Sequence, residues 1–172
     1  MNKINDTPNF LQMAKQLKKD AVRYASVAGV NFFKDSFQNQ GFTNEAFEQW
    51  QNRKNDLDPG RKILIKSSFL MNSIQVFDAN EQRITFGSDA AHAEIHNNGG
   101  TVKITITERS RRYFWFMFKV TGNFMWKAMA LTKKDSITIK IPKRQFIGES
   151  ATFMRELDTW LKQEILKRFK QL

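Results

Sequence analysis

Thr101-Val102-Lys103-Ile104-Thr105-Ile106-Thr107 alternates aliphatic and polar side chains, and Ser136-Ile137-Thr138-Ile139-Lys140-Ile141 does the same. A period of two puts Val102, Ile104 and Ile106 on one face of a half-buried strand, and Ile137, Ile139 and Ile141 on one face of a second. Between them runs Arg109 to Leu131, rich in aromatics and interrupted once, at Thr121-Gly122-Asn123. That composition with a single glycine break predicts a helical hairpin inserted between the two strands. The order strand, helix pair, strand places the chain in the α+β class.

Upstream, Ile74 to Phe77 and Arg83 to Phe86 read as two more strands, joined by a hairpin turn at Ala79-Asn80-Glu81-Gln82. Thr7-Pro8 has the form of a helix start, and Phe10, Met13, Leu17, Ala21, Tyr24 and Ala28 recur at spacings of three and four. Gly29 is expected to bend or end that helix, with a second stretch through Phe33 and Phe37 stopping at Gly41. Thr43 or Asn44 is expected to cap a short turn through Phe47 and Trp50. Asp58-Pro59-Gly60 reads as a turn, and Ser67 or Ser68 as the cap of a helical turn through Leu70 and Met71. Asp89 is expected to cap a small helix over 90–96, closed by Gly99-Gly100. Downstream, Ser150 caps a final helix with Phe153, Leu157, Leu161 and Ile165 on one face; Lys167, Arg168 and Lys170 suit its negative end.

The expected architecture is thus one α+β domain over 1–172: an antiparallel sheet packed against a long N-terminal helix and a C-terminal helix, with a helical insertion between two strands. Its parts are an N-terminal helical segment (1–41), an aromatic-rich helical insertion (109–131) and a C-terminal helix (150–172).

Composition narrows the function. Hydrophobic residues at 41% and aromatics at 13% argue for a packed core rather than disorder. With no cysteine, there is no disulfide framework, thiolate zinc site or thiol nucleophile. The N-terminal residues lack the apolar core of a secretory signal. The most apolar run, Tyr113 to Val120, contains Lys119 and falls far short of the ~20 residues that span a bilayer. A soluble cytoplasmic protein with no membrane partner is therefore expected. The net charge of +11 suits either nucleic acid or an acidic protein surface.

No catalytic constellation emerges. Asp89, His92 and His96 share helical spacing and offer a carboxylate and two imidazoles, but Ala91-His92-Ala93-Glu94-Ile95-His96 lacks the Glu directly after the first His that the metalloprotease helix needs. Ser67, Ser68 and Ser73 lack a glycine-flanked nucleophile elbow. Gly99-Gly100 is too short to cradle phosphate. Arg109-Ser110-Arg111-Arg112-Tyr113-Phe114-Trp115-Phe116 mixes basic and aromatic residues as single-strand binders do, but its nearly solid apolar run favours burial in a core or subunit contact. The expectation is no catalytic residue, no metal and no cofactor. Pro142 has no amide donor and interrupts strand pairing, leaving Lys143 and Arg144 exposed at the strand end.

Three ordered blocks carry a resemblance. They are Ile63-Leu64-Ile65-Lys66-Ser67-Ser68-Phe69-Leu70-Met71-Asn72-Ser73-Ile74, then Ala93-Glu94-Ile95-His96-Asn97-Asn98-Gly99-Gly100, then Ile141-Pro142-Lys143-Arg144-Gln145-Phe146-Ile147-Gly148. In this order, with Trp50 and Arg53 ahead of them, they resemble the phage virion morphogenesis (tail-completion) family of Mu-like and P2-like phages and prophages. The chain departs from that pattern at Ser68 (usually glycine), His92 (usually tyrosine) and Gln145 (usually proline), and Arg109 to Leu131 looks like an insertion. The resemblance implies a non-enzymatic factor that finishes the tail or neck so that heads and tails join. It works in the host bacterial cytoplasm during assembly, or as part of the virion. Its implied partners are tail tube, tail terminator or connector proteins, with a homo-oligomeric ring as one arrangement. Ile95, His96, Gly99, Gly100, Pro142, Lys143, Arg144, Phe146 and Gly148 are then structural or contact residues. A basic nucleic-acid-binding module is the alternative.

Overall fold

A computed structural model describes residues 9–53 and 58–170 of the chain. In order, its elements are α1 (Phe10–Asn39), β1 (Gly41–Thr43), β2 (Phe47–Gln49), α2 (Phe69–Asn72), β3 (Ile74–Ala79), β4 (Ile84–Ser88), α3 (Ala93–Asn98), β5 (Gly100–Thr105), α4 (Glu108–Thr121), α5 (Phe124–Leu131), β6 (Ser136–Ile141) and α6 (Ala151–Phe169). The fold is α+β, as expected. Its antiparallel pairing is distributed over three two-stranded ribbons, β1–β2, β3–β4 and β5–β6. The chain divides into two compact units, one from 1–98 and 143–172 and the other from Gly99–Pro142.

In the first unit, α1 is a single helix. The cap foreseen at Thr7 and Pro8 lies outside the described residues; Asn9 accepts from the Gln12 amide at 3.0 Å. Gly29 neither bends nor ends α1, contrary to the sequence expectation. It is buried where Phe86 crosses the helix, and a Cβ there would lie 2.3 Å from the Phe86 ring. Glycine is needed for that close approach rather than for a break. The helix stops at Gln40, a non-glycine residue in left-handed conformation (φ 60°, ψ 36°), whose side-chain amide donates to the carbonyls of Phe37 and Ile63. These bonds supply the support that left-handed backbone at a non-glycine residue requires.

The residues after α1 form the β1–β2 hairpin, paired Gly41↔Gln49 to Thr43↔Phe47, rather than the capped turn expected around Thr43 and Asn44. Asn44 serves the far end of the chain: its Oδ1 accepts from the Ala151 amide at 3.0 Å and its carbonyl from Thr152. The Asp58-Pro59-Gly60 turn is present, with Gly60 at φ +86°. The β3–β4 hairpin follows the expected pairing, with a bulge between Val76 and Asp78. Asp89 does not cap a helix: Ser88 Oγ accepts from the Ala90 amide at 3.2 Å, and regular helix begins only at Ala93.

Ser150 caps α6 as foreseen. Its Oγ accepts from the Phe153 amide at 3.1 Å and donates to the Thr43 carbonyl at 2.7 Å. α6 runs antiparallel to α1. Phe153 packs on Phe32, Trp160 stacks on Tyr24 at 4.1 Å, and Arg168 reaches Asp20 at 2.6 Å. The core lies at the C-terminal end of α1, where Phe33, Phe37, Trp50, Leu70, Ile74 and Phe146 are buried together.

The second unit is a ribbon bearing a helical hairpin. β5 and β6 pair from Gly100↔Ile141 to Thr105↔Ser136, with Val102 opposite Ile139 and Ile104 opposite Ile137. α4 opens with a capping box between Thr107 and Ser110 and closes on Gly122 at φ +65°; Asn123 then caps α5 through the Met125 amide. Phe114 stacks on Trp126 at 6.0 Å. The Arg111 guanidinium donates to the carbonyls of Ala130 and Thr132, so a cation closes the negative end of α5.

Candidate functional site

All three sequence blocks reach the core of the first unit at the C-terminal end of α1, and the second and third are bonded to each other there. The Arg144 amide donates to the His96 carbonyl at 2.8 Å. Asn97 secures the same junction with its side chain: Oδ1 accepts from the amides of Phe146 (2.9 Å) and Ile147 (3.0 Å), and Nδ2 donates to the Ile147 carbonyl at 3.1 Å. Trp50 Nε1 donates to the Gln145 carbonyl at 2.7 Å. Phe146, 0% exposed, then packs on Phe37 at 5.0 Å, and Phe37 meets Trp50 edge-on at 5.4 Å.

Arg144 overturns the sequence expectation. It is 8% exposed, not a solvated charge at a strand end. Its Nε and Nη2 both donate to the Gln51 carbonyl, at 3.2 and 2.9 Å. The guanidinium thus pins the segment after Trp50 to the loop after Pro142. Burial and the nearby Arg53 both work against its charge. Arg53 in turn donates to the carbonyls of Arg61 and Lys62, at 2.8 and 2.9 Å. Lys143, by contrast, is exposed as foreseen.

The remaining motif residues divide between the two units. Ile95 is half-buried on α3, and Gly99 follows that helix in left-handed conformation at φ +72°. Gly100 and Pro142 fall at the mouth of the second unit, where Gly100 pairs with Ile141. A Cβ on Gly148 would meet only the movable end of the Gln145 side chain, at 2.2 Å. Asn97 is a functional group of this junction that no sequence expectation singled out. Its signal was local, an asparagine just ahead of a glycine pair, but its bonds go to a loop beyond the second unit.

Asp89, His92 and His96 do not assemble into a metal site. The rings of His92 and His96 lie 5.8 Å apart at 86°, and Asp89 is exposed. Among the described residues, no group of three or more His, Asp or Glu side chains is placed to hold a metal ion. His96 Nδ1 is buried without a hydrogen-bonding partner. Burial, then the charges of His92 and Arg144, hold the His96 pKa below the usual imidazole value. Neutral imidazole suits such a position.

The second unit presents the other unusual surface. Phe114 is buried in the hairpin as expected for this run, but Tyr113, Phe116, Val120, Phe124 and Leu131 are exposed, Phe116 at 59% and Phe124 at 73%. Burial within the chain therefore accounts for only one side of α4. On the ribbon, Ile104 and Ile139 are exposed as well. Among the described residues, no helix is long and apolar enough to cross a membrane.

Comparison with known proteins gives one match: residues 31–166 fit the model of the phage virion morphogenesis family. No curated protein and no solved structure matches the chain.

Proposed function

The chain belongs to the phage virion morphogenesis family, and we propose that within phage assembly it is a non-enzymatic factor that completes the tail or neck and lets heads and tails join. It does so in the host cytoplasm by docking on tail tube, tail terminator or connector proteins. The observation that carries this reading is the family match over 31–166, which spans both compact units and all three sequence blocks. The geometry agrees in character. Asn97 of the second block and Arg144 of the third are spent on holding backbone, Arg144 on Gln51 and Asn97 on Phe146 and Ile147, and Trp50 ahead of the blocks holds the Gln145 carbonyl. Groups so engaged build a rigid body that other proteins can recognise.

The test is electron microscopy of lysates from the phage or prophage that carries this gene, with the gene interrupted. Filled heads beside separate tails are expected. Normal infectious particles would overturn the assembly role.

A further inference from the structure

We propose that α4 of the second unit is the docking helix of this protein, and that it seats in an apolar groove bordered by carboxylates on another protein of the particle. The inference rests on the assembly role and names the surface that performs it.

α4 has more apolar surface than its own packing uses. Phe114 and Phe118 lie toward α5, against Trp126 and Phe124. Tyr113, Phe116 and Val120, spaced i, i+3 and i+7, form a second row, all three more than half exposed; Tyr113 also touches Trp126 edge-on at 6.1 Å, so the row begins at the border with α5. That spacing is how a helix anchors itself in a groove. The hairpin holds the row ready. The capping box at Thr107, the Gly122–Asn123 corner and the Arg111 bonds to the end of α5 fix the helix before any partner arrives, which lowers the ordering cost of binding.

Charge selects the occupant. Gly99–Pro142 carries nine Lys and Arg against Glu108 and Asp135 alone. Arg109 begins the exposed row, one turn before Tyr113, and Arg112 and Lys119 run alongside it; Glu108 meets Arg112 only at 3.8 Å, in full solvent. A second copy of this surface would bring like charge against like. Duplex nucleic acid would satisfy the cations but leave Phe116 and Val120 in water. An anionic bilayer would cover the apolar row with the ribbon left in water, since an interfacial helix sinks only about 5–10 Å, and the vesicle arm of the test separates that occupant. A protein groove with an acidic rim meets both demands, apolar depth for Phe116 and Val120 and carboxylates for Arg109, Arg112 and Lys119, and the assembly role supplies such a partner.

The experiment supplies the full-length chain to the gene-interrupted phage and to tails purified from its lysate. The variants are F116D/V120D, R112E/K119E and, as a charge-matched control on α1, K15E/K19E. All positions are exposed, so thermal unfolding at the wild-type midpoint is expected; R112E/K119E keeps the test decisive if F116D/V120D fails to fold. Co-sedimentation with tails and the yield of joined particles should fall about tenfold or more in the two α4 variants, as when anchors at an interface centre are lost, and stay at wild-type level in K15E/K19E. Full rescue by both α4 variants would sink this inference while leaving the assembly role intact. Joined particles without any copy of the gene would sink the role itself. Wild-type binding to vesicles of phosphatidylglycerol and phosphatidylcholine, or to duplex DNA, that the α4 variants lose while still sedimenting with tails would also overturn the proposal.

Discussion

The backbone amide of Arg144 donates to the carbonyl of His96 at 2.8 Å, so the loop that follows the second unit is tied to the helix that precedes it. The two residues come from different sequence blocks, 48 positions apart. The Arg144 side chain makes a second tie, from Nε and Nη2 to the Gln51 carbonyl.

Replacing Arg144 tests that second bond. Arg144→Ala removes both donors to the Gln51 carbonyl and empties the space of a long side chain, at a cost of about 2–4 kcal/mol. Arg144→Met keeps most of the volume and removes a buried charge, and is expected to cost less than half as much. Urea unfolding followed by tryptophan fluorescence reads both. Equal losses would show that the hydrogen bonds, and not the packing, dominate.

Asn97 holds the same loop through an uncharged group. Asn97→Ala leaves the amides of Phe146 and Ile147 without their acceptor and is expected to cost about 2–3 kcal/mol. Asn97→Asp keeps the acceptor for both amides but loses the donations to the Ile147 carbonyl and Asn98 Oδ1 and turns an oxygen toward each, so it separates the two sides of the group: exchange at Phe146 and Ile147 should stay slower than in the alanine variant. Amide hydrogen exchange at Phe146 and Ile147 should quicken in the alanine variant; unchanged exchange would mean that the loop is held by Phe146 packing alone.

Gly29→Ala opposes propensity to packing. In an open helix the change would stabilise by about 1 kcal/mol. Here the new methyl would lie 2.3 Å from the Phe86 ring, itself packed edge-on against Phe33 at 5.2 Å. Destabilisation is expected, and the double variant with Phe86→Leu should recover part of it. A gain in thermal midpoint for Gly29→Ala alone would show that Phe86 moves aside at little cost.

How far the sequence revealed the fold depends on the range of the interactions involved. The α4–α5 corner was legible because Gly122 and Asn123 act on their own neighbours, as does Ser150 on Phe153. The β1–β2 hairpin was not, since three-residue strands are too short to show a period. Arg144 misled because a charge beside proline ordinarily faces water, and only the carbonyl of Gln51, far off in sequence, makes its burial tolerable. Composition marked α4 as apolar without separating the side covered by α5 from the side left bare. For the candidate site, the blocks were visible as blocks; their convergence on Phe37 and Trp50 required the fold.

His96 sets a pH dependence. Its folded pKa is held below the ordinary value near 6.5 by burial, with His92 and Arg144 adding to the effect. As pH falls through that ordinary value, the unfolded chain takes up a proton that the folded chain resists, so stability declines. The decline continues until pH passes the folded pKa, below which both states are protonated and this contribution is fully lost. Urea midpoints measured between about pH 7.5 and 5, a window bracketing the free imidazole value, should therefore drop for the wild type. His96→Gln has no imidazole to titrate and should flatten that drop, whatever it does to stability at neutral pH. Parallel curves for the two proteins would mean that His96 is not the group responsible.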